Sequence, residues 1–272
     1  MLTKVIVFIL LSFPSIAIAM DTDIFQKVIE KINSNDFAFV EDFLEENRSQ
    51  YIKDPEYYVI LLNYSFAKGN QTELVVAKGE PQKGDIEVKD KESGEVVGFI
   101  GERRIQGVEL ILKGIKETQK AQTNFNNRLD VHFGIIHIAA EINRWDIVGS
   151  QLVKILHTSK VNNNEWEWGT INSMGSDPQK FMIENVQAYV SMLFNVELEE
   201  ADNALKEVSE TMIKEYPNVI YGYSNLGVLY LANKKYDLAE KYLNQAIAID
   251  PKDEVVKGNL DLLKETRKQK HE

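Results

Sequence analysis

Apolar residues recur along most of this chain at intervals of three and four, the spacing that lines one face of an α-helix. Ile24, Val28, Ile29 and Ile32 form a first stripe, and the polar run Asn33-Ser34-Asn35-Asp36 ends it. Phe37, Val40, Phe43 and Leu44 form a second. Asp54-Pro55 reads as a helix start, with Asp54 at the N-cap and Pro55 at the first helical position. That helix runs through Tyr57, Tyr58, Leu61, Leu62 and Phe66 to Gly69-Asn70. Helical spacing returns at Ile105, Val108, Ile111, Leu112 and Ile115, then over 129–142 and 145–157, with the break at Asn143-Arg144. After a long loop over 159–177, two more helix pairs and a terminal helix complete the chain.

Residues 72–101 break this rhythm. Leu74-Val75-Val76, Ile86-Glu87-Val88 and Val96-Val97-Gly98-Phe99-Ile100 are short β-branched runs, punctuated by Gly79-Glu80-Pro81 and Ser93-Gly94. They predict a small β-hairpin or meander inserted between two helices. The fold class expected is all-α, an α-solenoid of stacked helical hairpins carrying that insertion.

One stretch has a specific motif. Tyr223, Leu226, Gly227, Tyr230, Ala239, Leu243, Ala246 and Pro251 stand at fixed offsets. Small residues at Gly227 and Ala239 suit the closest approach of two antiparallel helices, and Pro251 stops the second. Over 220–251, within a repeat unit expected at 217–251, the chain thus resembles the tetratricopeptide repeat, whose pattern these residues follow, with Tyr223 in place of the usual Trp. Upstream, His132, Ile135, Ile136, Ala139, Val148, Leu152 and Ile155 occupy the same offsets, and Trp145 starts the second helix as Tyr236 does. Ile136 replaces the family's glycine there. Around Ala188–Pro217 only Ala204 and Pro217 fit, with a slip of one residue. Residues 20–110 rest on periodicity alone, and a capping helix is expected over 253–270.

The resemblance implies peptide binding in a concave groove lined by first helices. On the matching repeat those positions are Tyr221, Ser224, Asn225, Val228 and Leu231. Some members clamp a terminal carboxylate with Lys and Asn; here Ser224 and Val228 stand where such a clamp needs charge or amide, so a mildly apolar groove is expected. A second candidate surface is the loop Glu165-Trp166-Glu167-Trp168, whose alternation puts both indoles on one side of an extended backbone. Those indoles either form an aromatic platform for a peptide or glycan, or pack onto a neighbouring helix.

The first twenty residues change where this chain is expected to work. Lys4, the apolar run Val5–Leu11 and Ala17-Ile18-Ala19 have the form of a secretory leader cleaved after Ala19. The apolar part is shorter than the roughly 20 residues of a membrane span. The expected organisation is a leader over 1–19 and one helical domain over 20–272, periplasmic or secreted, with no integral span after cleavage. The chain has no cysteine, which excludes disulfides and thiolate metal sites, and its net charge of -11 disfavours nucleic-acid partners.

Catalytic and metal signatures are missing. His137 and Glu141 share a helix face at i,i+4 without an evident third ligand, and His132 and His137 point about 140° apart. Glu197, Glu199 and Glu200 fall at a helix start, where carboxylates offset the dipole. No enzyme activity, cofactor or metal is expected. The reading is an exported scaffold or adaptor for a protein or peptide partner. Two alternatives are an immunity-type inhibitor of an exported toxin or enzyme, favoured by the acidic charge and the insertion, and a peptidoglycan- or glycan-binding module using the Trp loop.

Overall fold

A computed structural model describes residues 19–104, 107–169 and 174–269. The expected leader, apart from Ala19, lies outside the described residues. Among those residues the chain forms helices α1 (Thr22–Asn33), α2 (Phe37–Glu46), a short α3 (Arg48–Tyr51) and α4 (Pro55–Gly69). Strands β1 (Thr72–Ala77), β2 (Ile86–Lys89) and β3 (Val96–Arg104) follow. Then come α5 (Val108–Ala121), α6 (Leu129–Glu141), α7 (Trp145–Val161), α8 (Pro178–Leu193), α9 (Glu199–Glu215), α10 (Ile220–Ala232), α11 (Tyr236–Ile249) and α12 (Glu254–Gln269). The helices are those the periodicity predicts, with α7 running four residues further than 157, α3 as an addition, and α5 starting at Val108; Ile105, expected to begin it, lies outside the described residues. No described helix is long and apolar enough to cross a membrane.

Three of the helical hairpins share one turn. At Asn35, Asn143 and Lys234 the backbone is left-handed, with φ of 59°, 57° and 58°. In each case the next N–H reaches back five residues: Asp36 to the Lys31 carbonyl at 2.9 Å, Arg144 to Ala139 at 2.8 Å, Lys235 to Tyr230 at 2.8 Å. This is the Schellman closure, which satisfies carbonyls orphaned at a helix end. An aromatic residue then opens the second helix each time: Phe37, Trp145 and Tyr236. The hairpin α1/α2, which periodicity alone does not single out, thus has the same corner as α6/α7 and α10/α11.

The insertion sits at the corner of another hairpin. Gly107 N–H donates to the Gly69 carbonyl at 2.8 Å, so the chain leaves α4 and re-enters α5 at one point. Glycine is required there, because a Cβ on Gly107 would lie 3.0 Å from Gly69 Cα, and one on Gly69 2.6 Å from Ile111 Cγ1. The sheet is antiparallel in the order β1-β3-β2, and β3 extends to Arg104. A meander would have placed β2 in the centre; instead β2 and β3 form the hairpin and β1 closes on the far edge of β3. Leu74, Val76 and Ile86 remain 66–71% exposed on this sheet.

A continuous apolar core runs from Met20 to Leu229. A second, smaller cluster of Ala239, Leu243, Ala246, Val256 and Leu263 packs α11 between α10 and α12. Close approach between helices depends on small residues. A Cβ on Gly149 would meet Ala204 Cβ at 2.7 Å between α7 and α9, and one on Gly222 would meet the Ser209 carbonyl oxygen at 2.7 Å between α10 and α9.

Candidate functional site

The five groove positions lie along α10, but they do not form one open surface. Tyr221 is half-buried against the large core, whereas Leu231 packs against the C-terminal cluster. Ser224 and Val228 are half-buried between them. Asn225 is 4% exposed and its carboxamide is fully engaged: Nδ2 donates to Gln187 Oε1 at 2.9 Å and Gln187 Nε2 donates to Asn225 Oδ1 at 3.0 Å. Asn225, one of the expected groove positions, is thus paired with a residue of a neighbouring helix. Gln187 of α8 is within reach of α10 and offers the matching amide.

The Trp loop packs inward. Trp166 is 6% exposed and meets the His132 ring edge-on, with centroids 5.7 Å apart. Trp168 is half-buried between Phe133 and Phe181, at 6.2 Å and 5.2 Å. The alternation does put both indoles on one side, and that side is α6. The loop backbone is held there: Leu129 N–H donates to the Glu167 carbonyl at 2.9 Å, and Glu167 N–H to the Asn127 carbonyl at 2.8 Å. Of the two readings of this loop, packing onto a helix is the one that forms, and a platform of two free indoles is excluded.

His132 is wholly buried rather than lining a surface. Its Nε2 donates to the Asn126 carbonyl at 3.0 Å, and Gln151 Nε2 donates to its Nδ1 at 2.8 Å, which defines a neutral ring. Burial pushes its pKa down to about 4, with Lys154 adding to the effect and the Asn126 carbonyl opposing it. Gln151 and Lys154 also converge on Gln122 Oε1, at 3.2 Å and 2.7 Å. No cluster of three potential metal ligands exists among the described residues.

A second buried polar cluster joins α4 to α6. Arg128 Nη2 lies 3.0 Å from Glu56 Oε1 and 2.7 Å from Asp130 Oδ2, and Nε donates to Asp130 Oδ1 at 2.8 Å. Burial raises the Glu56 pKa against the pull of Arg128, while the two carboxylates raise that of Arg128 against its own burial.

Sequence reasoning misses one cleft. Between α2, α4 and α5 a space of about 520 Å³ is lined by Glu41, Arg48, Tyr57, Tyr64, Lys113 and Glu117, among others. Tyr64 and Lys68 both donate to Glu41, whose carboxyl is held below its usual range, chiefly by Lys68. The Tyr57 hydroxyl donates to the Leu44 carbonyl at 2.9 Å, and burial pushes its pKa up to about 12. The only prior signal was Tyr57 and Tyr64 two turns apart on α4, which reads equally well as core.

No curated protein matches the chain. A family model does match within it, and only over the last complete hairpin and the turn that follows: residues 220–253 are a tetratricopeptide repeat.

Proposed function

We propose that this chain is an exported interaction scaffold, a solenoid of helical hairpins that holds a protein or peptide partner. The tetratricopeptide repeat at 220–253 carries this reading, since stacked repeats of this kind present extended concave surfaces. The Schellman corner shared with α1/α2 and α6/α7 supports more than one such unit. Side-by-side first helices support stacking: Phe133 of α6 stacks on Tyr189 of α8 at 5.6 Å, and Gln187 of α8 pairs with Asn225 of α10. Lys4, the apolar run and Ala17-Ile18-Ala19 support a periplasmic or secreted location.

The partner's seat is the first-helix side of α10 around Tyr221, Ser224 and Val228. The test is site-specific photocrosslinking in a periplasmic extract, with the crosslinker at Ser224 or Val228, and at exposed Glu240 on the second helix as comparison. A discrete adduct from Ser224 and Val228 but not Glu240 is expected. Adducts from Glu240 alone, or a chain retained in the cytoplasm, would reject the reading.

The inhibitor reading has its own observation: Leu74, Val76 and Ile86 are exposed on the inserted sheet. Apolar side chains of that exposure suit an interface. If adducts form from the sheet and not from α10, the insertion is the binding surface and the helices display it.

A further inference from the structure

The fold contains a partner for the group that leader removal would create. Ala19 is exposed whereas Met20 is 8% exposed, so the chain passes from solvent into protein at the bond between them. The Met20 backbone nitrogen donates to Asp54 Oδ2. The other oxygen of that carboxylate, Oδ1, accepts the Glu56 N–H at 2.8 Å and caps α4. Asp54 is 5% exposed, and no described lysine or arginine forms an ion pair with it. Its neighbours increase the demand for positive charge. Glu56 and Asp130 share Arg128, so the region holds three carboxylates against one guanidinium. An amide N–H offers a hydrogen bond without charge, whereas an ammonium at the same place offers both.

We propose that cleavage between Ala19 and Met20 leaves an α-ammonium that ion-pairs with Asp54 and completes the buried cluster of Asp54, Glu56, Arg128 and Asp130. The step is hydrolysis by a leader peptidase. Water adds across the peptide bond, Ala19 keeps the carboxylate, and the Met20 amine takes a proton at neutral pH. Processing then serves the fold as well as the route. The inference rests on the export reading.

The test uses the chain starting at Met20, which contains every described helix and strand. It is prepared with a free or an Nα-acetylated terminus, each with Asp54 intact or as Asp54→Asn. Asparagine keeps a side-chain oxygen for the cap and removes the charge. Acetylation should lower the Tm at pH 7 by about 4 °C with Asp54 present, and by under about 1 °C in Asp54→Asn. Equal shifts in both backgrounds, or no shift with Asp54 present, overturn the proposal; if Asp54→Asn does not fold, the comparison with Asp54 intact decides alone. N-terminal sequencing of the protein recovered from cells separates the two readings. Met20 at the terminus without the Tm coupling sinks the ion pair and leaves export standing, whereas Met1 at the terminus sinks both.

Discussion

The carboxamides of Asn225 and Gln187 face each other across α10 and α8 and exchange two hydrogen bonds, at 2.9 Å and 3.0 Å. Two amides placed this way satisfy one another and fix the register of the two helices. Asn225→Ala should destabilise by about 1–2 kcal/mol, because Gln187 is left half-buried without its partner. Replacing both Asn225 and Gln187 with Ala should lose less than the two single Ala losses added together. Urea unfolding of the four proteins measures the coupling. Strict additivity would show that the pair contributes nothing jointly.

Two glycines give opposite expectations. A Cβ on Gly227 would meet Leu243 Cγ and Cδ2 at 2.6 Å, between α10 and α11, whereas one on Gly258 in α12 meets nothing within 4 Å. Gly227→Ala should therefore cost about 1–3 kcal/mol through overpacking. Gly258→Ala should stabilise by about 0.5–1 kcal/mol, since alanine has less freedom to lose in a helix. Thermal melts that move the same way for both variants would contradict the close α10–α11 contact.

Lys234 holds the left-handed position that asparagine holds in the two upstream corners. A β-carbon is disfavoured there, and asparagine tolerates it better than lysine. Lys234→Asn and Lys234→Gly should each raise stability by about 0.5–1 kcal/mol, read from the midpoint of urea unfolding. A loss from both would mean that the lysine side chain has a role the backbone argument omits.

His132 sets a pH dependence with a defined sign. Its folded pKa of about 4 lies below the ordinary 6.5. Above pH 6.5 both folded and unfolded chains carry a neutral ring, and the group has no effect. As pH falls from 6.5 towards 4 only the unfolded chain takes up the proton, so stability declines, by about 3 kcal/mol in all. The charged groups that bear on the ring are Lys154 and Asp130. Urea midpoints between pH 7.5 and 4.5 should fall more steeply for the native chain than for His132→Gln. Parallel curves would show that His132 is not held neutral.

Much of the helical order is legible in the sequence, because polar breaks such as Asn33–Asp36 interrupt clear apolar stripes. The identity of the three corners is not. Asn35, Asn143 and Lys234 share a backbone conformation rather than a residue type, and conformation is invisible to a count of apolar positions. The burial at the candidate surfaces is hidden for a related reason. The spacing places Tyr221, Asn225 and Val228 on one helix face correctly, but Gln187, which closes off Asn225, lies 38 residues away in the chain. Trp166 and Trp168 alternate as expected, yet only the position of α6 shows that their shared side faces inward. The cleft between α2, α4 and α5 needs three elements to meet, and none of them marks it alone.

The contact between Gly69 and Gly107 also bears on the order in which the chain assembles. If the intervening segment were coil, joining α4 to α5 would require closing a long loop before any helix contact could compensate. Once β2 and β3 pair and β1 joins them, the two ends already lie close and the remaining closure is short. The inserted sheet thus acts as a clasp. Formed early, it converts a distant pairing of helices into a local one, and the hairpin α4/α5 can form about as readily as those with direct corners.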